Sequence, residues 1–222
     1  MYLSKLTLSQ RSRQVRSELA SPYEMHRTVL RAFPSEEDGG PGRVLFRVDQ
    51  MRHASELALL VQSDKEPDWA ALDGNRTATV PYLLRPVEFK ELKPKFSEGQ
   101  QLAFRLRANP TRKIDTKTRP DGNRRNGKRV GIYDEQKRTE WLRRKGESGG
   151  FAVLSVQVIS DGFIHGKKTD EHGSHDLKHC AVRFEGVVQV TDPDVFLQTL
   201  QTGIGSGKAF GFGLLSVAPV PS

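Results

Sequence analysis

Hydrophobic and polar positions in the first half of the chain predict a β-α-β-β-α-β order of elements. The clearest strand is 43–48, where Val44, Phe46 and Val48 alternate with other residues and so share one face of a sheet. A second alternating segment covers 101–108. The remaining predicted elements are a strand at 2–8, a helix beginning near 21, a short apolar strand at 57–61 and one helical turn at 68–72. This order is that of a ferredoxin-like fold.

The second half predicts the same order of elements again. Its predicted helix at 134–145 turns Trp141 and Leu142 inward, and a later helix at 192–200 has Pro193 at its first position, where the fixed φ of proline suits a helix. The predicted strands are 129–133, 151–159, 180–190 and 214–218. We therefore expect an α+β protein made of tandem ferredoxin-like βαββαβ domains at 1–109 and 129–222. A single irregular α+β domain is the alternative.

A basic, polar segment at 110–128 is expected to connect the two halves. Between residues 109 and 129 there are eight Lys or Arg side chains against two Asp and almost no apolar content. The whole chain has 35 Lys and Arg against 27 Asp and Glu, which leaves a net charge of +8. Such a surplus indicates a polyanionic partner, because each neutralised phosphate releases counterions. Many basic proteins bind no nucleic acid, so the net charge alone does not establish that this protein binds one.

Several classes of protein are disfavoured by simple features of the chain. No apolar run approaches the ~18–20 residues that span a bilayer. Residues 1–17 contain four Arg or Lys and no sustained apolar stretch, which does not fit a secretion signal. Cys180 is the only cysteine, so an internal disulfide is excluded. We expect a cytoplasmic protein that makes no membrane contact.

The strongest candidate for chemistry is the start of the first predicted helix. Ser21 is expected to form a capping box with Glu24, with a proline between them at the first helical position. Tyr23 and His26 are three residues apart, so their side chains lie close together at the edge of the buried face. The buried stripe itself is expected to contain Met25, Val29, Ala32 and Phe33. A histidine there can transfer a proton at neutral pH, although a Tyr–His pair at this spacing also occurs by chance in packing or surface positions.

Arginines close to this helix are candidates for phosphate contact. Only two acidic residues, Glu18 and Glu24, occur between residues 1 and 33, so the local positive charge is poorly neutralised. A solvated face is the common explanation for such a run, but the shortage of acids favours phosphate binding. The RNA-binding candidates here are Arg13, Arg16, Arg27 and Arg31.

A glycine-rich segment at 203–213 is a second unusual feature. A nucleotide-binding P-loop is rejected, because Thr202 stands where its first glycine is required and Ala209 follows Lys208 where Ser or Thr binds Mg²⁺. The residues 208–212 also echo the aromatic strand motif of RNA-recognition motifs. A dense glycine turn with Lys208 can approach a ligand or a neighbouring element closely.

The histidines at 165–179 carry metal-like spacings without the rest of a metal site. His172, His175 and His179 are separated by two and three residues, but no cysteine pair or acidic set accompanies them. We therefore expect no metal. Lys167 and Lys168, which lie beside them, are candidates for binding a phosphate.

Four segments together resemble one family. These are the PYEMHR stretch at 22–27, EPDW at 66–69, FRLRANP at 104–110 and the C-terminal part at 203–217. They are similar to the CasE family of CRISPR RNA-processing endoribonucleases from type I-E systems, and the similarity covers nearly the whole chain. It implies two ferredoxin-like, RRM-related domains, cleavage of a repeat hairpin without a metal or other cofactor, and retention of the product RNA in the Cascade complex with its other subunits.

The resemblance also implies roles for residues. His26 and Tyr23 match the family's catalytic pair within PYEMHR, and Lys168 or Lys167 is the candidate for an additional electrostatic contribution. Arg129, Lys167 and Lys208 join the four helix arginines as expected RNA contacts. The implied reaction is attack of a 2′-hydroxyl on the adjacent phosphate. A non-catalytic RNA-binding subunit of the same superfamily and a general RNA-recognition-motif protein are the alternatives.

Overall fold

Two antiparallel four-stranded sheets form the framework of this α+β protein. The computed structural model describes residues 1–51, 53, 55–73, 80–114, 128–170 and 173–221. No helix in these ranges is long and apolar enough to cross a membrane.

The first sheet is built from the N-terminal part of the chain. Its strand order is β2-β3-β1-β4, and its helices include α1, which the sequence pattern did not predict. The elements are β1 (Tyr2–Ser9), α1 (Arg13–Ala20), α2 (Pro22–Leu30), β2 (Val44–Gln50), β3 (Glu56–Ser63), α3 (Ala70–Asp73) and β4 (Glu88–Glu91).

The second sheet is built from the C-terminal part, and its strand order is β10-β5-β9-β8. A separate two-stranded ladder, β6 with β7, accompanies it. The elements are β5 (Gln101–Ala108), β6 (Thr111–Ile114), β7 (Lys128–Gly131), α4 (Glu135–Glu147), β8 (Phe151–Asp170), β9 (Gly173–Val190), α5 (Pro193–Thr202), a 3-10 turn (Lys208–Phe210) and β10 (Leu215–Pro219).

The strand predicted at 101–108 forms, but its placement in the first half is corrected by the pairing. On β5, Leu106 pairs with Phe184 of β9 and with Leu215 of β10, so this strand is internal to the second sheet. The first sheet is completed instead by β4, whose four residues are all exposed and show no apolar alternation. The division between the sheets therefore precedes residue 101 and does not coincide with the expected domain boundary at 109.

The basic connector begins and ends in paired backbone. Its two ends form β6 and β7, where Arg112 pairs with Val130 and Lys113 with Arg129. The strand predicted at 129–133 thus belongs to this small ladder and not to the main sheet. Residues 115–127 of the predicted connector lie outside the described residues.

The hairpin of β8 and β9 is much longer than the sequence pattern predicted. Pairing extends from Phe151 with Val190 to Asp170 with Gly173, with register shifts near residues 153–155 and 160–163. The apolar alternation stops near residue 159 and resumes near 180, because the outer part of the hairpin is polar. Backbone pairing continues there without an apolar alternation in the sequence to reveal it.

Each sheet has its own buried core. In the first, the predicted helical stripe Met25, Val29, Ala32 and Phe33 is buried, which confirms that prediction. In the second, Trp141 and Leu142 of α4 are buried as predicted, packed with residues of β5, β9 and α5. A smaller cluster of Ala181, Phe210 and Phe212 connects the glycine-rich segment to β9.

Arg47 connects the two sheets through hydrogen bonds of its side chain. Its side chain is buried on β2, and its Nη1 donates to the carbonyl oxygens of Arg105 (3.2 Å) and Leu214 (3.3 Å) in the second unit. Its Nε and Nη2 both donate to Asp49. A second bond, from Gln62 Nε2 to the carbonyl oxygen of Leu200 at 2.7 Å, also crosses between the units. These contacts fix how the first sheet meets the second.

Candidate active site

The predicted Tyr–His pair lies at the start of α2, where that helix faces the glycine-rich segment. The rings of Tyr23 and His26 have centroids 6.2 Å apart. Tyr23 is 43% exposed, whereas His26 is half-buried. The imidazole of His26 lies parallel to the ring of Phe46 on β2, with centroids 5.9 Å apart and planes inclined by 13°. The first sheet therefore supports the pair through the contact of Phe46 with His26, and the ring of Tyr23 is open to solvent.

The capping box predicted for α2 does not form. Ser21 occupies the cap position, but its side chain makes no cap hydrogen bond; its backbone carbonyl accepts from the N–H of Glu24 at 2.8 Å. The N–H of Ser21 donates to the carbonyl of Ser17, because the same residue ends α1. With that N–H already bonded, Glu24 instead pairs with Arg27 at 3.2 Å.

Burial keeps His26 in its neutral form. Desolvation lowers the pKa of His26 below its ordinary value, since the charged imidazolium is disfavoured in a partly apolar site. Its Nδ1 is buried and has no hydrogen-bond partner among the described residues. A neutral imidazole at pH 7 can accept a proton from a hydroxyl group placed next to it.

Phe210 links the Tyr–His pair to the glycine-rich segment. Its ring lies 5.9 Å from that of Tyr23 and 4.5 Å from that of His179. Gly211 follows with φ +78°, and a Cβ atom there would lie 3.2 Å from Cε2 of Phe46, the ring beneath His26. The glycine is therefore needed both for the backbone turn and for the close approach to the site.

His179 is a component of this site that the sequence did not assign to it. The amide oxygen of Asn109 accepts from the N–H of Cys180 at 3.1 Å, so its amide nitrogen is the group that faces His179 Nδ1, at 2.9 Å. Nδ1 must then act as acceptor, which puts the proton of the neutral ring on Nε2. Burial lowers the pKa of His179 as well. Only pairing of β9 with the end of β5 creates this contact, so no local sequence signal could reveal it.

The predicted lysines have different surroundings. Lys208 donates through Nζ to the carbonyl oxygen of Gly205 at 2.8 Å, closing its own loop, and burial lowers its pKa. Lys167 and Lys168 belong to the outer part of β8, and their side chains lie outside the part of the chain that is described. The expected role of these two lysines in binding a phosphate therefore stays a prediction.

The four helix arginines are divided between two elements. Arg13 and Arg16 lie on α1, and Arg27 and Arg31 lie on or just after α2. All four are exposed, and only Arg27 forms an ion pair with a described residue. The nearby acid Glu18 is buried and accepts hydrogen bonds from three side chains, those of Gln14, Thr28 and Tyr82. Glu18 forms no ion pair with any of the four arginines, and Arg13, Arg16 and Arg31 have no acidic partner among the described residues.

A basic cleft lies beside the glycine-rich segment, and of its cations only Arg129 is an RNA contact expected from the sequence. It has a volume of about 590 Å³, and Gly205 and Ser206 form part of its wall. Among the described residues, no acidic side chain lines it, and none of its cationic side chains forms an ion pair. Its cations are Arg112, Lys113, Arg129, Arg144 and Lys145. They come from β6, β7 and α4, so only the fold brings them together.

This chain is similar to known proteins along nearly its whole length. A family model described as CRISPR associated protein matches residues 1–219. The CRISPR-associated endoribonuclease Cse3 of Thermus thermophilus is 39% identical over 99% of this chain and 100% of its own length. The Cascade subunit CasE of Escherichia coli (strain K12) is 31% identical over the same shares. The chain belongs to the Cse3/CasE family of CRISPR-associated endoribonucleases.

Solved structures of this family have the same fold. Cse3 bound to a 19-nucleotide RNA matches with a TM-score of 0.80 and 38% identity, covering 99% of this chain and all of that chain. Cas6e from Escherichia coli str. K-12 matches with a TM-score of 0.68 and 28% identity over the same shares. The resemblance recognised in the four sequence segments is thereby confirmed.

Metal ligands do not gather in the described ranges of this Cse3/CasE family member. No group of three or more His, Cys, Asp or Glu side chains there is arranged to hold an ion. His179 is engaged by Asn109. His172 lies outside the described residues, as does the side chain of His175.

Proposed function

We propose that this protein cleaves CRISPR precursor RNA at the repeat hairpin and stays bound to the mature crRNA as a Cascade subunit. Support comes from the names of its relatives: one is an endoribonuclease, another is a Cascade subunit, and one solved Cse3 complex contains an RNA that represents a pre-cleavage state. Both named relatives match along essentially their whole length.

We further propose that the two sheets are tandem ferredoxin-like, RRM-related units. In chain order, the second unit is β5-α4-β8-β9-α5-β10, which is a βαββαβ sequence with the small β6–β7 ladder inserted. The first unit has two helices, α1 and α2, before β2 and the short α3 before β4. In both units the first and third strands are central and the second and fourth are at the edges. In this proposal the division between the units lies at 92–100, before β5, whereas the sequence pattern predicts it at 109.

The observation that carries the proposed reaction is the Tyr23–His26 pair, held against Phe46 and Phe210 at the open end of α2. The 2′-hydroxyl beside the scissile phosphate attacks the phosphorus, and the bond to the 5′-oxygen breaks. The products are a 2′,3′-cyclic phosphate, or the 3′-phosphate that forms from it, and a 5′-hydroxyl. The RNA supplies its own nucleophile, so the protein has to position it and move protons, and needs no metal ion.

His26 is the proton-transfer group in this proposal. As a base it takes the proton of the 2′-hydroxyl; as an acid it gives one to the leaving 5′-oxygen. Its neutral state at pH 7 suits the first role. Tyr23 orients the reacting groups, and Lys168 or Lys167 on the hairpin stabilises the negative charge that develops on the phosphate.

Phosphate groups of the hairpin are proposed to bind the basic cleft and the exposed arginines of α1 and α2. The described lining of the cleft contains five cations and no acid, and a polyanion removes the repulsion among these cations. A-form RNA is contacted largely through its backbone, which suits such a surface. Binding should weaken steeply as salt concentration rises.

Replacing His26 tests the proposal. We expect His26→Ala to slow single-turnover cleavage of repeat RNA by ~10²–10⁴-fold, the usual contribution of general acid–base catalysis, while its RNA affinity stays within twofold. His53→Ala is the matched control, because His53 is exposed in the loop before β3. Equal losses of binding and cleavage would assign His26 a structural role. Unchanged cleavage would show that His26 does not take part in the reaction, and absence of cleavage by the wild-type protein would favour a non-catalytic RNA-binding subunit.

Two substrate controls separate this mechanism from others. A 2′-deoxy substitution at the cut site should abolish cleavage and preserve binding, since it removes the nucleophile. Excess EDTA should leave the rate unchanged. Cleavage of the deoxy analogue, or loss of activity with chelator, contradicts the mechanism.

A further inference from the structure

A second cleft, distinct in character from the basic one, lies between the two sheets next to α2. It has a volume of about 470 Å³, and its walls include Pro22 and Met25 of α2, Phe46, and Phe210. Phe46 supports His26 and Phe210 contacts Tyr23, so the cleft adjoins the candidate active site directly. We call it the inter-sheet cleft.

Charges of both signs line the inter-sheet cleft, unlike the basic cleft; its charged lining residues are Glu18, Asp49, Asp161, Arg107 and Arg183. Asp161 forms one ion pair with Arg107 at 3.3 Å and another with Arg183 at 3.7 Å. All three side chains line the cleft. Arg183 also pairs with Glu185 at 3.2 Å. A phosphate gains little from cations that are already paired. A neutral ligand with donors and acceptors along one edge fits this wall better.

A bulge in β8 builds one side of the cleft. The register shift between Ser160 and Phe163 leaves Asp161 and Gly162 outside the ladder, and Asp161 reaches the two arginines. Bulges of this kind redirect side chains and are common beside functional sites. Phe163 follows the bulge and remains 47% exposed, with Nζ of Lys178 4.0 Å from the centre of its ring.

We propose that the inter-sheet cleft binds one unstacked nucleobase of the RNA strand next to the cleavage site. Phe163 provides the face on which the base stacks, and the Asp161–arginine group meets its polar edge. This inference rests on the proposed function, and it names the part of the RNA that this cleft recognises. A base is planar, neutral and rich in edge donors and acceptors, which matches an aromatic wall beside arginines that are already paired with an acid.

The size of the cleft supports a single base. Ligand-binding clefts of about 300–1,000 Å³ accept small molecules and combine apolar walls with a few convergent polar groups. Removing one base from the stack also places its sugar and phosphate outside helical geometry. That freedom allows the 2′-hydroxyl to line up with the phosphorus for attack.

The test combines a protein variant with an altered RNA. A repeat hairpin made non-cleavable by 2′-deoxy substitution is prepared with an abasic site at each position flanking the cut in turn. Affinity for wild-type protein should fall about 5- to 150-fold at one position, which is the usual range for stacking of one base. Phe163→Ala should cause a similar loss with the intact RNA and no further loss with that abasic RNA.

Leu154→Ala is the matched control, because Leu154 lies on the same strand and is 49% exposed. It should leave affinity within twofold for every RNA. Equal losses of affinity for Phe163→Ala on intact and abasic RNAs, or the absence of any sensitive position, overturn the inference while wild-type cleavage of intact RNA upholds the proposed function. Failure of the wild-type protein to bind any repeat hairpin overturns both.

Discussion

At the scale of single residues, two neutral imidazoles define the site. His26 and His179 both have a pKa lowered by burial, and they lie on either side of Tyr23 and Phe210. Protonation of Nδ1 of His179 would also remove the acceptor of the hydrogen bond that Nδ2 of Asn109 donates. The folded protein therefore resists protonation at these rings more than the unfolded chain does.

Stability should consequently fall in mild acid. A histidine whose pKa is lowered on folding stabilises the protein fully above its unfolded pKa, near 6.5, and loses that contribution as pH falls towards the folded value. The free energy of unfolding should decrease below pH 6.5 by at most about 1.4 kcal/mol per pH unit for each histidine. Urea midpoints measured between pH 7.5 and 5.5 check this.

His179→Asn serves as the control for that pH effect. An asparagine retains an acceptor for Asn109 but cannot titrate, so the variant should lose less stability between pH 7.5 and 5.5 than the wild-type protein. An identical decline in both proteins would show that His179 does not contribute to the pH dependence.

At the scale of elements, the glycine-rich segment positions the active site through its backbone. Gly203, Gly207 and Gly211 all have positive φ, and Cβ atoms at Gly203 and Gly211 would approach Leu45 and Phe46 of β2. The segment therefore fits against the first sheet, although it belongs to the second unit. Its glycines serve this close contact between units.

Alanine at two glycines separates backbone strain from site geometry. Gly211→Ala and Gly99→Ala should each cost about 1–2 kcal/mol, because both glycines have a left-handed backbone. A Cβ at Gly99 meets nothing within 4 Å, whereas at Gly211 it presses on Phe46. Only Gly211→Ala should slow cleavage, by about tenfold or more. Equal cleavage rates for the two variants would refute a positioning role for Gly211.

Elements with a buried apolar face could be predicted from the sequence, and others could not. Apolar residues recur about every 3.6 residues in α2 and every second residue in β5, so the sequence pattern predicts both elements. β4 and the outer part of the β8–β9 hairpin form by backbone pairing, and their sequences carry no such apolar period. The helix α1 buries only Val15 and Glu18, a pattern too sparse to predict it.

At the scale of the whole molecule, Arg47 is the principal polar connection between the sheets. Its guanidinium spans Asp49 on its own strand and two carbonyls of the second unit. Arg47→Met should lower the free energy of unfolding by about 3–5 kcal/mol, since it removes the donor of two carbonyls and leaves the carboxylate of Asp49 with only the longer contact to Arg105 at 3.8 Å. Urea unfolding at neutral pH measures the change.

Arg85→Met is the matched control for that prediction. Arg85 pairs with Glu56 at 2.8 Å, but its side chain is 49% exposed, so its loss should cost less than about 1 kcal/mol. If both variants lose the same stability, burial and inter-sheet bonding of Arg47 do not matter, and the two units are held mainly by apolar contacts.

The sequence by itself determined the α+β class, the helix that carries Tyr23 and His26, and the positive charge, because these depend on local periodicity and composition. Only the tertiary structure decided that β5 joins the second sheet, that the ring of His179 contacts that of Phe210, and that five cations from β6, β7 and α4 share one cleft. Those contacts join residues far apart in the chain. Strand pairing selects them through global packing, which a local pattern does not encode.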